Sequence, residues 1–261
     1  MKNALRAGGK WNRLKSAWRE DRTVLGMLVT IPSVQIVQII TQSAIDFILI
    51  DMEHGAIDAN SAHAMIAATH GTSLVPLVRV GTAEPWLAKS PLDSGALGVV
   101  FPMTNSRRDA ELVVKVVHYP PMGERFWGPF YAAPRWGVDV LEYTNRADDE
   151  VLAIGMIEHI DAVSAAAEIV ATPGLDLVFI GPGDLATSMG HKARVDHPDV
   201  TAAIERVEPV ILNSNVVLGG VATTPETAKQ MIARGYRALI VGFDWLFLQR
   251  GIATTIDGIR R

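Results

Sequence analysis

Val178-Phe179-Ile180-Gly181-Pro182-Gly183-Asp184-Leu185 ends an apolar run in a tight turn and sets one carboxylate where the next segment begins. A short unbroken run of this kind reads as a strand buried on both faces, and Gly-Pro-Gly stops it. In barrels and open sheets of parallel strands, chemistry is placed at the carboxyl ends of the strands. The arrangement recurs along the chain. Asp51 and His54 follow Phe47-Ile48-Leu49-Ile50, Arg79 closes Leu74-Val75-Pro76-Leu77-Val78, and Glu158 follows Ala153-Ile154-Gly155-Met156-Ile157.

Outward from these runs, strands are expected near residues 24–30, 46–51, 74–79, 97–101, 153–158, 176–180, 216–219 and 238–242. Helical patterns lie between them at 59–70, 108–118, 161–171, 200–213 and 225–234. Regular alternation of strand and helix implies parallel pairing with right-handed crossovers, and eight units imply a TIM (β/α)8 barrel. One barrel domain is expected over 23–261, with residues 1–22 as an N-terminal helical extension that caps the barrel floor or packs on a partner. The long connection 102–150 carries Tyr119-Pro120-Pro121-Met122-Gly123-Glu124-Arg125-Phe126-Trp127-Gly128-Pro129-Phe130-Tyr131. Aromatics mixed with Pro and Gly suit an ordered loop, a lid or pocket wall, better than a linker.

Composition narrows the function classes. The 261 residues are 49% hydrophobic and carry a net charge of −4, so neither nucleic acid nor a membrane surface is an expected partner. No run approaches the roughly 20 apolar residues of a membrane span, and the Lys/Arg-rich start has no signal-type core; a cytoplasmic protein is expected. Without cysteine there is no thiolate nucleophile and no Cys-ligated metal. The seven lysines, at 2, 10, 15, 89, 115, 192 and 229, avoid every expected strand end, which disfavours Schiff-base chemistry. Neither a Walker motif, nor a dinucleotide fingerprint, nor a Gly-x-Ser-x-Gly elbow occurs.

Glu158 and Asp184 are the metal candidates, because hard cations take carboxylate oxygens and leave room for substrate oxygens. Asp51 lies three residues before His54 and could hold the imidazole as a base, with Glu53 competing for that role. Arg79 at a strand end could clamp a carboxylate or a developing oxyanion, or pair with Asp51. Asp93 precedes the fourth strand and by position belongs to the opposite side of the barrel. The histidines at 63, 70, 118, 191 and 197 read as surface or packing residues.

Taken as an ordered set, Phe47–His54, Pro76–Arg79, Leu92–Met103, Tyr119–Arg125, Glu158 and Val178–Leu185 resemble the HpcH/HpaI family of class II, metal-dependent pyruvate aldolases. The resemblance implies a homo-oligomeric TIM barrel, a trimer or a hexamer built as a trimer of dimers. It implies cleavage of 4-hydroxy-2-oxo acids into pyruvate and an aldehyde with Mg²⁺, Mn²⁺ or Co²⁺ at Glu158 and Asp184. Arg79 would contact the enolate oxygen, His54 oriented by Asp51 would act as base, and the backbone at Gly183 and Asp184 would hold the pyruvate carboxylate. Asp93 would reach a neighbouring subunit's site. Related readings are a citryl-CoA-type lyase, an oxaloacetate decarboxylase, or a catalytically silent barrel that binds without turnover.

Five positions depart from the family pattern: Met156 stands where Gln is common, Gly183 where Ala is, Phe126-Trp127 where Gly-Val is, and Phe243 where a small polar residue is. The departures gather on the aldehyde side, so Phe126 and Trp127 are expected to contact substrate and the acceptor to be bulkier and more apolar than a short dicarboxylic semialdehyde.

Overall fold

The computed structural model describes residues 11–260. Eight parallel strands close into a barrel: β1 (Val24–Val29), β2 (Phe47–Asp51), β3 (Val75–Arg79), β4 (Gly98–Phe101), β5 (Leu152–Ile157), β6 (Leu177–Ile180), β7 (Val217–Val221) and β8 (Ala238–Phe243). Each strand pairs with its sequence neighbours, and β8 closes on β1. All eight strands coincide with the expected apolar runs to within a few residues. The helices are α1 (Arg13–Arg19), α2 (Val34–Ile40), α3 (Ala59–Ala68), α4 (Pro85–Asp93), α5 (Arg107–Val117), α6 (Ala132–Arg135), α7 (Val140–Glu150), α8 (Ile160–Ser164), α9 (Ala166–Val170), α10 (Pro182–Ser188), α11 (Pro198–Leu212), α12 (Pro225–Ala233) and α13 (Asp244–Arg260). The single helix expected over 161–171 is two, broken at Ala165.

Large and small residues interdigitate inside the barrel. Phe47 fills the space left by Gly26, Phe179 fills that left by Gly219, and the two rings lie 6.3 Å apart. A side chain at either glycine would collide with the ring it faces, so the pairing sets the radius of the closed sheet.

Residues 1–10 of the expected N-terminal extension lie outside the described residues. Beyond them the chain crosses the floor of the barrel, where the strands begin. Buried Asn12 donates from Nδ2 to the carbonyls of Leu97 (3.2 Å) and Glu150 (2.7 Å) and caps α1 by accepting from the Leu14 amide (3.0 Å). Lys15 donates to the Val151 carbonyl and Trp18 to that of Arg237, so one short helix satisfies carbonyls ahead of β4, β5 and β8. Trp11 stacks between Trp136 and Tyr143, joining the floor to α7.

The opposite end of the sequence behaves differently. Asp244 is buried and pins the start of α13 to the end of β1, accepting from the amides of Thr30 (3.0 Å) and Ile31 (2.8 Å). Every later residue of α13 up to Ile259 is exposed or only half-buried. Trp245, Phe247, Leu248, Ile252, Ile256 and Ile259 all present apolar surface to solvent, Ile259 at 76% exposure. In a barrel each helix ordinarily covers the sheet that precedes it; α13 does not. Among the described residues, no helix is long and apolar enough to cross a membrane.

Candidate active site

β2 and β3 end in register, which sets Asp51 directly beside Arg79. The guanidinium grips the carboxylate with two bonds, Nε to Oδ1 at 2.9 Å and Nη2 to Oδ2 at 2.7 Å. Asp51 Oδ1 also accepts from the Glu53 amide (3.1 Å). Both residues are buried at the barrel mouth, so the pair is strong, and it is also a constraint, since neither charge can lose its partner cheaply. Arg79 Nη1 remains, touching only the Met156 sulfur at 3.9 Å.

This geometry corrects one expectation. Asp51 is committed to Arg79 and does not orient the His54 imidazole; it reaches only the His54 backbone amide, at 3.4 Å. The acid nearest the ring is Glu53, whose Oε2 is 3.9 Å from His54 Nε2 and 3.2 Å from Arg79 Nε. Glu53 Oε2 is buried without a hydrogen-bond partner, and burial pushes this carboxyl above the usual range against the pull of Arg79 and His54. The sequence offered Asp51 and Glu53 as alternatives; strand register gives Asp51 to Arg79 and leaves Glu53 beside the imidazole.

Glu158 lies one residue beyond β5 and is almost fully buried. Its Oε1 accepts the Met103 amide at 2.7 Å, which Met103 presents from a left-handed backbone conformation (φ 53°). On the other side Gly181 leaves room for it, because a Cβ there would sit 2.9 Å from Glu158 Oε2. Burial raises the Glu158 carboxyl to about 7, with the negative charges of Glu53 and Asp184 adding to the effect and the Met103 bond and Arg79 opposing it. Asp184 stands exposed in the first turn of α10. The helix begins at Pro182 with Gly181 at the cap position, so the Asp184 side chain is not its cap. The Met103 contribution was invisible in sequence; its only sign was that Phe101-Pro102-Met103-Thr104 is a further strand end.

A cavity of about 410 Å³ opens at this end of the barrel, lined by His54, Arg79, Met156, Gly183, Asp184 and Phe243 among others. Asp93, Phe126 and Trp127 are not brought to it. Asp93 ends α4 on the floor side, where Arg125 Nη2 bonds it at 3.1 Å and burial raises its carboxyl. Arg125 itself is buried between Tyr119 and Tyr143, 4.5 and 5.6 Å from their rings. The aromatic segment folds beside Asp93, since a Cβ on Gly128 would lie 3.1 Å from Asp93 Oδ2. Phe126 and Trp127 are exposed, and Trp127 packs edge-on to Phe130. Within one chain these residues do not wall the cavity, because α5 runs back to the floor and the loop starts there.

The HpcH/HpaI aldolase/citrate lyase family profile matches residues 25–249. The chain belongs to this family. It is 31% identical over 256 residues to the hydroxypyruvate/pyruvate aldolase of Paraburkholderia phytofirmans, covering 95% of this chain and 98% of that one. It is 31% identical over 241 residues to the 4-hydroxy-2-oxo-heptane-1,7-dioate aldolase of Klebsiella pneumoniae, covering 92% and 91%. The crystal structure of an HpcH/HpaI aldolase/citrate lyase family protein from Burkholderia cenocepacia superposes with a TM-score of 0.88 at 30% identity, over 96% of this chain and 100% of that one. The chain is thus an enzyme of the aldolase type, a carbon–carbon lyase, on a (β/α)8 barrel.

Proposed function

We propose that this enzyme is a divalent-metal-dependent pyruvate aldolase that cleaves 4-hydroxy-2-oxo acids. The observation that carries this reading is Glu158: a buried carboxylate at the barrel mouth, with Glu53 and Asp184 adding negative charge and the nearby Arg79 already taken by Asp51. Such a donor set fits a hard cation, with Glu158 and Asp184 as the protein ligands for Mg²⁺, Mn²⁺ or Co²⁺. A bound ion supplies Lewis-acid polarisation of the substrate's 2-oxo group.

The chain's own residues supply the rest. Arg79, held rigid by Asp51, aims Nη1 into the cavity and donates to the oxygen that gains charge. Met156 offers that nitrogen only a weak thioether acceptor, so the donor stays available to substrate. His54, with Glu53 beside it, takes the proton of the 4-hydroxyl. The C3–C4 bond then breaks, the aldehyde departs, and the electron pair moves into C2–C3 to give the enolate of pyruvate, which is protonated at C3. Backbone groups at Gly183 and Asp184 receive the pyruvate carboxylate. The apolar lining from Phe243 and Val221 favours an apolar or aromatic aldehyde. The test is pyruvate in deuterated water: methyl protons should exchange with solvent, stop exchanging after EDTA treatment, and resume with Mg²⁺ or Mn²⁺. Absence of exchange with every metal would reject enolate chemistry.

The same reading makes the enzyme a homo-oligomer in which Asp93, held by Arg125 and flanked by Phe126 and Trp127, completes a neighbouring subunit's cavity. All three are exposed or half-buried on the floor side, away from their own chain's site, and α13 leaves a wide apolar face uncovered. Asp93→Asn and Glu158→Gln copies, each inactive alone, should regain activity when unfolded and refolded together, with about a quarter of sites assembled from two intact halves. No recovery on mixing would place Asp93 outside the neighbour's site.

A further inference from the structure

We propose that His191, His197 and Asp199 form a second metal site, selective for zinc-type ions, that clasps the loop 191–197 beside the barrel mouth. His191 and His197 come from the segment between α10 and α11, Asp199 comes from the first turn of α11, and the three meet outside the barrel. His191 Nε2 lies 3.1 Å from Asp199 Oδ2, and His197 Nδ1 lies 3.6 Å from the same oxygen. One ligand atom from each residue falls within 4.8 Å of the others. Neighbouring ligands of a tetrahedral zinc are about 3.4 Å apart, so two of the three separations already fit and the third needs a small side-chain rotation.

His197 Nδ1 accepts the Asp199 amide at 3.2 Å, so its lone pair is unprotonated and an ion taking it would displace that one capping bond. His191 Nε2 hydrogen-bonds the carboxylate, and entry of an ion shifts its proton to Nδ1 with no net loss from the ring. The rings stack at 3.6 Å with side chains only 17% and 27% exposed, so the two imidazoles are already together, and one turns out of the stack for both lone pairs to meet a shared ion. Two nitrogens and one carboxylate select zinc, cobalt or nickel over magnesium, which the all-oxygen pair at the barrel mouth suits better. Three protein ligands leave a position for water.

The loop between the two histidines gives the site a consequence. Lys192 and Ala193 both hold left-handed backbone conformations, at φ 48° and 61°, which neither residue favours. Val195, on the same loop, lines the cavity. A metal joining the two ends of the loop would therefore fix one wall of the aldehyde side without touching Arg79, Glu158 or His54.

The test uses the Glu158→Gln enzyme, which lacks a barrel-mouth ligand, stripped of metal and dialysed against Zn²⁺ with excess Mg²⁺. One Zn²⁺ per chain should be retained, and adding His191→Ala or Asp199→Asn should weaken binding at least tenfold. Substituting Co²⁺ should give visible d–d absorption that the same variants abolish. Zinc should also protect the exposed Lys192 and Arg194 from trypsin in the Glu158→Gln chain but not when His191→Ala is added. His191→Ala alone should keep Mg²⁺-dependent pyruvate exchange, so failure here is separable from failure of the aldolase reading. No zinc retention, or retention indifferent to His191 and Asp199, overturns the proposal.

Discussion

Arg79→Lys is expected to lower kcat/KM about 10²–10³-fold while leaving the fold intact, and Arg79→Met to remove activity and stability together. Lysine keeps a positive charge beside Asp51 but not the two-pronged grip, so the donor that Arg79 aims into the cavity is lost; removing one such donor typically costs 10²–10³-fold. Methionine strands the Asp51 carboxylate, which is fully buried. Breaking a buried pair by deleting one partner costs about 3–5 kcal/mol. Adding Asp51→Asn to Arg79→Met should return most of that stability and none of the activity. Chemical denaturation of the four proteins alongside retro-aldol rates checks both halves. If the double variant recovered turnover, Arg79 would be structural only.

Glu158→Gln is expected to abolish metal-dependent turnover, by about three orders of magnitude, yet to stabilise the metal-free protein at alkaline pH. The sign follows from proton uptake. Burial raises the folded carboxyl to about 7 and an ordinary glutamate lies at 4.5, so between these values the folded state binds more protons than the unfolded one. Stability therefore falls as pH rises from about 4.5 to 7 and stays low above it. A displacement of this size corresponds to roughly 3 kcal/mol. For a chain of this length that is about 5–10 °C in Tm. Metal-stripped wild type should lose that much relative to Glu158→Gln between pH 5 and 8, and Mg²⁺ should restore it in the wild type alone. Parallel melting profiles with pH would show that Glu158 carries no uncompensated charge.

What the sequence revealed and what it hid follow from the range of the forces involved. Strands buried on both faces must be apolar throughout, so all eight were visible as runs, and the residue ending each run had to emerge at the mouth. That is why Asp51, Arg79, Glu158 and the Gly181–Asp184 turn could be named. The helices α2, α4 and α6 escaped notice because they are short or carry prolines such as Pro91 and Pro134, and tertiary packing holds them where propensity would not; α7 and α13, of 11 and 17 residues, were not among the expected helices either. Partner choice was hidden for another reason. Asp51 lies three residues from His54 and twenty-eight from Arg79, yet parallel register places the distant residue alongside. Phe126 and Trp127 were read as pocket residues from their chemistry, but the direction of α5 sends their loop to the floor.

The order of elements along the chain has a consequence for how the protein is made. The last rung of the barrel, β8 against β1, is complete at Phe243, and the uncovered apolar helix α13 comes only after it. The strands can therefore find their register with nothing from α13 beyond the buried Asp244 at its start, and the apolar length of that helix stands apart from barrel closure.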